Sequence, residues 1–179
     1  MTVTTGTMTD EQRKSVAVEY LKAFDNGGVT PDGGSILDLF ADDALVCFPK
    51  WGLASGKDEI GQLFGDVGGT INSITHDYAA FNYVFSGSDV LVVEGTSFGE
   101  HKDGPWRSGV PDWAAGRWCD VFEIRDFKIQ RCFIYLDPDY AGVDTARYPW
   151  LKEAAPVAAE PGKHNGGRVG QRGRSDHGR

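Results

Sequence analysis

Residues 35–52 read SILDLFADDALVCFPKWG, and the change of character within this stretch decides the fold. ILDLF has the make-up of a short helix that Ser35 can cap. The adjacent acids Asp42 and Asp43 follow at a corner, where short polar side chains suit a turn. A strand over 44–48 then runs into Pro49, and a third helix is expected over 57–64. The two acids are read as architectural.

Upstream, Thr9 and Gln12 have capping-box spacing, and Val16, Tyr20, Ala23 and Phe24 recur at helical intervals. Asn26-Gly27-Gly28 stops this first helix. Downstream of Gly69 the chain turns rich in Val, Ile, Phe and Tyr, predicting strands over 73–85, 89–99, 116–125 and 128–137. Ser86-Gly87-Ser88 and Arg125-Asp126-Phe127 make hairpin turns between neighbours. Helices followed by an antiparallel run predict an α+β chain, a cone-shaped barrel whose curved sheet wraps the N-terminal helix. A pocket inside such a cone is the usual place for a small-molecule site.

Composition bounds the function. Of 179 residues, 40% are hydrophobic and 25% charged, an ordinary balance for one globular domain. Domain limits are expected at 9–150, with a flexible segment over 1–8 and a disordered Gly/Arg-rich tail over 151–179. Residues 161–179 carry five basic residues, Lys163 to Arg179, against Asp176, so residues 1–160 hold a net charge of −12 out of the total −8. A body so acidic repels phosphates and argues against a nucleic-acid partner. No apolar run approaches the roughly 20 residues that span a bilayer, and no secretory signal is visible. Cys47, Cys119 and Cys132 have no metal-ligand spacing and read as reduced thiols, which sets a cytoplasmic expectation. No nucleotide motif or metal site is legible, and no cofactor is expected.

YLKAFDNGG, LFADDALVCFP, GKDEIGQLF and DVFEIRDFKIQRCFIYLD occur in that order. Together they resemble the nuclear transport factor 2-like superfamily in its SnoaL-like branch, over about residues 11–139. The resemblance implies the cone fold and dimers paired sheet to sheet. It leaves function open, because that scaffold hosts isomerases, dehydratases, epoxide hydrolases, cyclases and proteins without catalysis. Laid beside ketosteroid isomerase, Tyr20 and Asp120 fall at the oxyanion-hole positions, an arrangement that is a standard example of a carboxyl kept neutral by an apolar site. The general-base position of that relative is Phe48 here, so steroid isomerisation does not carry over. The epoxide-hydrolase set would fall on Thr96, Glu94 and Ile134, which breaks that pattern too.

A different acid–base set emerges from alternation. Trp118, Asp120, Phe122 and Ile124 share one strand face, and Val92, Glu94, Thr96 and Phe98 are matched to the pocket side of theirs. His76, Tyr78 and Asn82 share a face, and SnoaL-like relatives often carry a pocket histidine early in this strand. The expected catalytic constellation is Tyr20, His76, Glu94 and Asp120. Phe48, Trp51, Tyr78, Asn82, Thr96, Trp118, Phe122 and Ile134 would line it. Its logic is proton abstraction with stabilisation of an oxyanion, in an isomerase, cyclase or dehydratase acting on a small hydrophobic oxygenated molecule. The alternative is a non-catalytic ligand-binding or interaction module. Trp106 and Trp113 in the 100–114 insertion could form a lid or pack structurally, and His101 is expected in solvent. Phe81, Tyr83, Phe85, Phe133 and Tyr135 are assigned to an outward patch that a homodimer would cover, with Tyr140, Tyr148 and Trp150 at its edge or the pocket rim.

Overall fold

A computed structural model describes residues 7–105 and 116–136. Expectations for Trp106, Trp113, Tyr140, Tyr148, Trp150, most of the insertion and the tail lie outside the described residues, as does nearly all of the segment 1–8.

Helix α1 (Asp10–Asp25) starts with the anticipated capping box, Thr9 and Gln12 each bonding the other's backbone N–H. Asn26 caps its C-terminus. A 3-10 turn, Ile36–Leu39, follows with Ser35 as its cap. Strand β1 (Phe40–Phe48) begins earlier than expected and absorbs Asp42 and Asp43 in a register shift between Phe40 and Leu45. Both acids are exposed, and Asp42 pairs with Lys57 at 2.9 Å. A short β2 (Gly52–Ser55), unforeseen in the sequence, hairpins onto β1 before α2 (Gly56–Gly68).

The expected strand 73–85 is two strands. β3 (Ile71–His76) and β4 (Asn82–Ser86) are separated by a 3-10 turn at Tyr78–Ala80. Both pair antiparallel with the long β5 (Val90–His101), β4 with its first half and β3 with its second. A two-residue β6 (Gly104–Pro105) follows, then β7 (Arg117–Arg125) and β8 (Lys128–Leu136). Asp126 and Phe127 turn between these last two strands with φ of 51° and 57°. Such paired positive φ values define the hairpin turn that matches strand twist. The sheet order is β2-β1-β8-β7-β5-β3, antiparallel except for the parallel β1–β8 pair. The result is a curled sheet forming a half-barrel, with α1 packed against β3 and β7 on the concave side.

The break at Tyr78–Ala80 resets the alternation. Phe81, Tyr83 and Phe85 pack against the core and Val84 faces out, correcting their assignment to the outer patch. The sense of β5 is also opposite to expectation. Leu91, Val93, Gly95 and Ser97 point inward, while Glu94 and Phe98 are exposed. Gly95 is the reason this was hard to see, since it adds no hydrophobic signal to the inward row. Its missing side chain is a packing requirement, because a Cβ there would lie 2.5 Å from Trp118 and 2.8 Å from Phe81.

Candidate functional site

The site begins at the end of α1. Asp25 is the last helical residue, where the negative pole of the helix dipole disfavours a carboxylate. What holds it there is a set of donors from the far end of β3. His76 donates its backbone N–H to one Asp25 oxygen at 3.0 Å, and its Nδ1 meets the other at 2.5 Å. Tyr78 donates its hydroxyl to Asp25 at 2.6 Å. Burial of Asp25 works to raise its pKa, but the His76 and Tyr78 bonds outweigh it and keep the carboxyl below its ordinary range. Burial first, then the Asp25 bond, pushes the Tyr78 phenol upward, so it stays a donor.

This arrangement fixes the histidine. With Nδ1–H donated to a carboxylate, the neutral ring keeps Nε2 as its basic nitrogen on the opposite edge. The imidazole is 7% exposed and stands edge-on to Trp118 at 5.2 Å and to Phe81 at 6.3 Å. The aromatic walls leave the ring little freedom to turn.

Across the sheet, Asp120 projects from the middle of β7 and is 3% exposed. Burial pushes its pKa up to about 8. At neutral pH it is mainly a protonated acid, able to donate a hydrogen bond. His76 and Asp120 line one cavity of about 30 Å³ together with Tyr20, Phe48, Ser97, Trp118 and Ile134. Tyr20 is 2% exposed, packed among Phe24, Phe40, Phe64 and Phe122, with its hydroxyl on the Cys132 sulfur. The indole N–H of Trp118 is buried and makes no hydrogen bond.

Of the expected constellation, Tyr20, His76 and Asp120 come together, and Glu94 does not. It lies on the outer face of β5, opposite Asn82 and Cys119. Asn82 is exposed beyond the 3-10 turn. Of the expected lining, Phe48, Trp118 and Ile134 border the cavity. Thr96 does not, because the inverted sense of β5 puts Ser97 there instead. Phe122 lies deeper, against Tyr20 at 5.5 Å. Trp51 packs edge-on to the outer side of Phe48 and borders a surface hollow with Leu53 and Glu59. Tyr78 serves Asp25 rather than the cavity wall. His101, expected in solvent, is buried, with its Nδ1 accepting the Asp103 N–H at 3.3 Å.

Asp25 escaped the sequence reading. Its one local signal is an acid on the last turn of a helix, against the dipole, the kind of rule violation that accompanies a functional or strained position. Among the described residues, no three His, Cys, Asp or Glu side chains converge as metal ligands. No helix there is long and apolar enough to cross a membrane.

No family model matches this chain, and no curated protein sequence matches it significantly. Solved structures do. An NTF2-like protein from Anabaena variabilis is 23% identical, with 75% of this chain and 98% of that one covered and a TM-score of 0.57. An NTF2-like protein of unknown function from Burkholderia pseudomallei is 18% identical, covering 82% and 100%, with a TM-score of 0.55. A hypothetical protein from Catenulispora acidiphila with a ketosteroid isomerase-like fold, solved in complex with trimethylamine, is 17% identical over 74% and 90%, with a TM-score of 0.51. Likeness at these identities is likeness of architecture, and the chain accordingly has the NTF2-like fold, in the α+β cone form shared with ketosteroid isomerase-like proteins.

Proposed function

We propose that the protein is an acid–base catalyst of the isomerase, cyclase or dehydratase kind, acting on a small hydrophobic oxygenated molecule. The observation that carries this reading is one cavity bordered by a histidine that a carboxylate orients and by an aspartic acid that burial keeps protonated. His76 removes a proton through Nε2, and Asp25 holds the ring and stabilises the imidazolium. Asp120 donates to the oxygen on which negative charge develops, with Tyr20 beside it. Phe48 closes the wall where the ketosteroid isomerase resemblance would have put a base, so the basic group enters from β3 instead. Proton transfer of this kind requires no electron carrier.

The test is a panel of β-hydroxy ketones and β,γ-unsaturated ketones, followed by the ultraviolet absorbance of the conjugated enone. Wild type turns over at least one class, and His76→Gln lowers kcat by roughly 10²–10⁴-fold, the usual contribution of a general base. Activity falls above about pH 8 as Asp120 loses its proton. Turnover indifferent to His76→Gln would sink the assignment.

A second reading, a non-catalytic binding module, draws support from the size of the cavity, about 30 Å³. Wild type that binds the panel without converting any member decides for it. For the outer face of the sheet we propose a second copy of the chain. Val84, Val92, Val121, Phe133, Cys47 and Leu53 stand opposite one another in turn across six strands, an unbroken apolar row. Sedimentation that finds wild type and Val121→Glu equally monomeric would remove this partner.

A further inference from the structure

The cavity shared by His76 and Asp120 holds about 30 Å³, room for about two waters. Sites that enclose a whole small molecule run to roughly 300–1,000 Å³. The proposed chemistry therefore has space for the reacting end of a molecule and none for its body. A second hollow of about 380 Å³ lies between the C-terminal end of α1 and the face of α2, walled by Phe24, Ile36, Leu37 and Phe64.

One residue belongs to both. Phe24 lines the inner cavity and the outer groove. Its ring lies 6.2 Å from that of Tyr20, which borders only the inner cavity, and stands edge-on at 5.6 Å to Phe64, which borders only the groove. Phe24 is partly buried rather than locked in the core. Among the described residues, no charged side chain lies on the groove wall and Ser35 is the single polar one, its hydroxyl already accepting the Leu37 N–H. The floor is backbone, because Gly65 and Gly68 lie on it and a Cβ at either position would touch nothing. Inside, the buried Asp120 carboxyl and His76 line the inner cavity.

We infer that the two hollows form one substrate site divided by the Phe24 ring, and that the ligand is bipartite. A small oxygenated head reaches Asp120 and His76, and an uncharged apolar tail lies in the groove over the glycines of α2. This rests on the catalytic reading above and adds the shape of its substrate. Phe24 thereby becomes the residue that sets which tails are accepted. An apolar tail fits because the groove offers area without charge, and continuity through Phe24 selects a tail attached to the head over an unrelated occupant.

The experiment uses the full chain and the primary alcohols ethanol, 1-hexanol and 1-decanol, whose hydroxyl head is the size of a water, with dissociation constants measured by calorimetry. In wild type, affinity rises with tail length, approaching about fourfold per methylene placed in the groove. Gly65→Leu and Gly68→Leu, which put side chains into open space and improve helix propensity, flatten the series while ethanol itself binds as before. His76→Gln weakens ethanol and its homologues alike. A flat series in wild type, or a length dependence that survives both leucine variants, overturns the bipartite site and leaves the inner cavity standing. A series in which no member binds, or which binds with no regard to His76, overturns the catalytic reading as well. A dimer that the leucine variants dissociate, with no length dependence, gives the groove to a second copy and defeats the inference.

Discussion

Asp25 and Asp120 are both largely buried carboxyls at one site, and they titrate in opposite directions. Asp25 closes a helix with two donors from His76 and one from Tyr78, and these hold it below its ordinary range in spite of burial. Asp120 stands in mid-strand with burial as its sole influence and is pushed up to about 8. The residue type is the same, and the number of donors aimed at it decides the charge. Environments that drive the titration of two carboxyls apart also set their charges apart, leaving Asp25 ionised and Asp120 mainly neutral at pH 7.

The largest test of this contrast concerns Asp120. An acid whose pKa is raised by folding binds more protons folded than unfolded between about pH 4 and pH 8, so its contribution to stability is present below that window and is lost as pH rises through it. Asp120→Asn cannot ionise and lacks this slope. The stability difference between wild type and variant should therefore change by on the order of 5 kcal/mol from pH 4 to pH 8. Urea denaturation across that range measures it, and parallel profiles would mean that Asp120 is charged inside the fold.

Asp25 carries the opposite sign. Its lowered pKa makes its contribution present above the unfolded value of 3.8 and lost as pH falls through the folded one. Asp25→Ala leaves the His76 ring and the Tyr78 hydroxyl without their acceptor and should cost about 2–3 kcal/mol at pH 7. The gap from wild type should close in acid. A constant gap down to pH 2 would show a packing effect instead of a charge.

The smallest expected effect belongs to Glu94, an acid on the outer face of the same sheet. Glu94→Gln should shift stability by less than about 0.5 kcal/mol at any pH. A larger change, or an altered activity profile, would return Glu94 to the inner set and blur the contrast between buried and exposed acids.

What could be read in advance follows the range of the interactions. Strand β7 was legible to its faces, because Trp118, Asp120, Phe122 and Ile124 alternate without interruption and all four are buried. β5 was legible as a strand but not in its sense. Val occupies both faces, with Leu91 on one and Thr96 on the other, and Gly95 leaves the inner row without a marker at its midpoint. The stretch 73–85 misled for a related reason. His76 is buried as expected, yet the 3-10 turn at Tyr78–Ala80 shifts the phase after it, so Asn82 faces out and Phe81 faces in.

By itself the sequence determined the capping box of α1, the Ser35 cap of the turn that follows it, the β7–β8 hairpin, the cone that these imply and the apolar setting of Asp120. Each of these depends on residues a few positions apart, where period and turn chemistry operate. Only the tertiary structure decided that Asp25 meets His76, 51 residues away, and that Phe24 stands between the inner cavity and the groove over α2. Those juxtapositions depend on how a helix end settles against a curled sheet, and neither hydrophobic period nor turn signal encodes that distance.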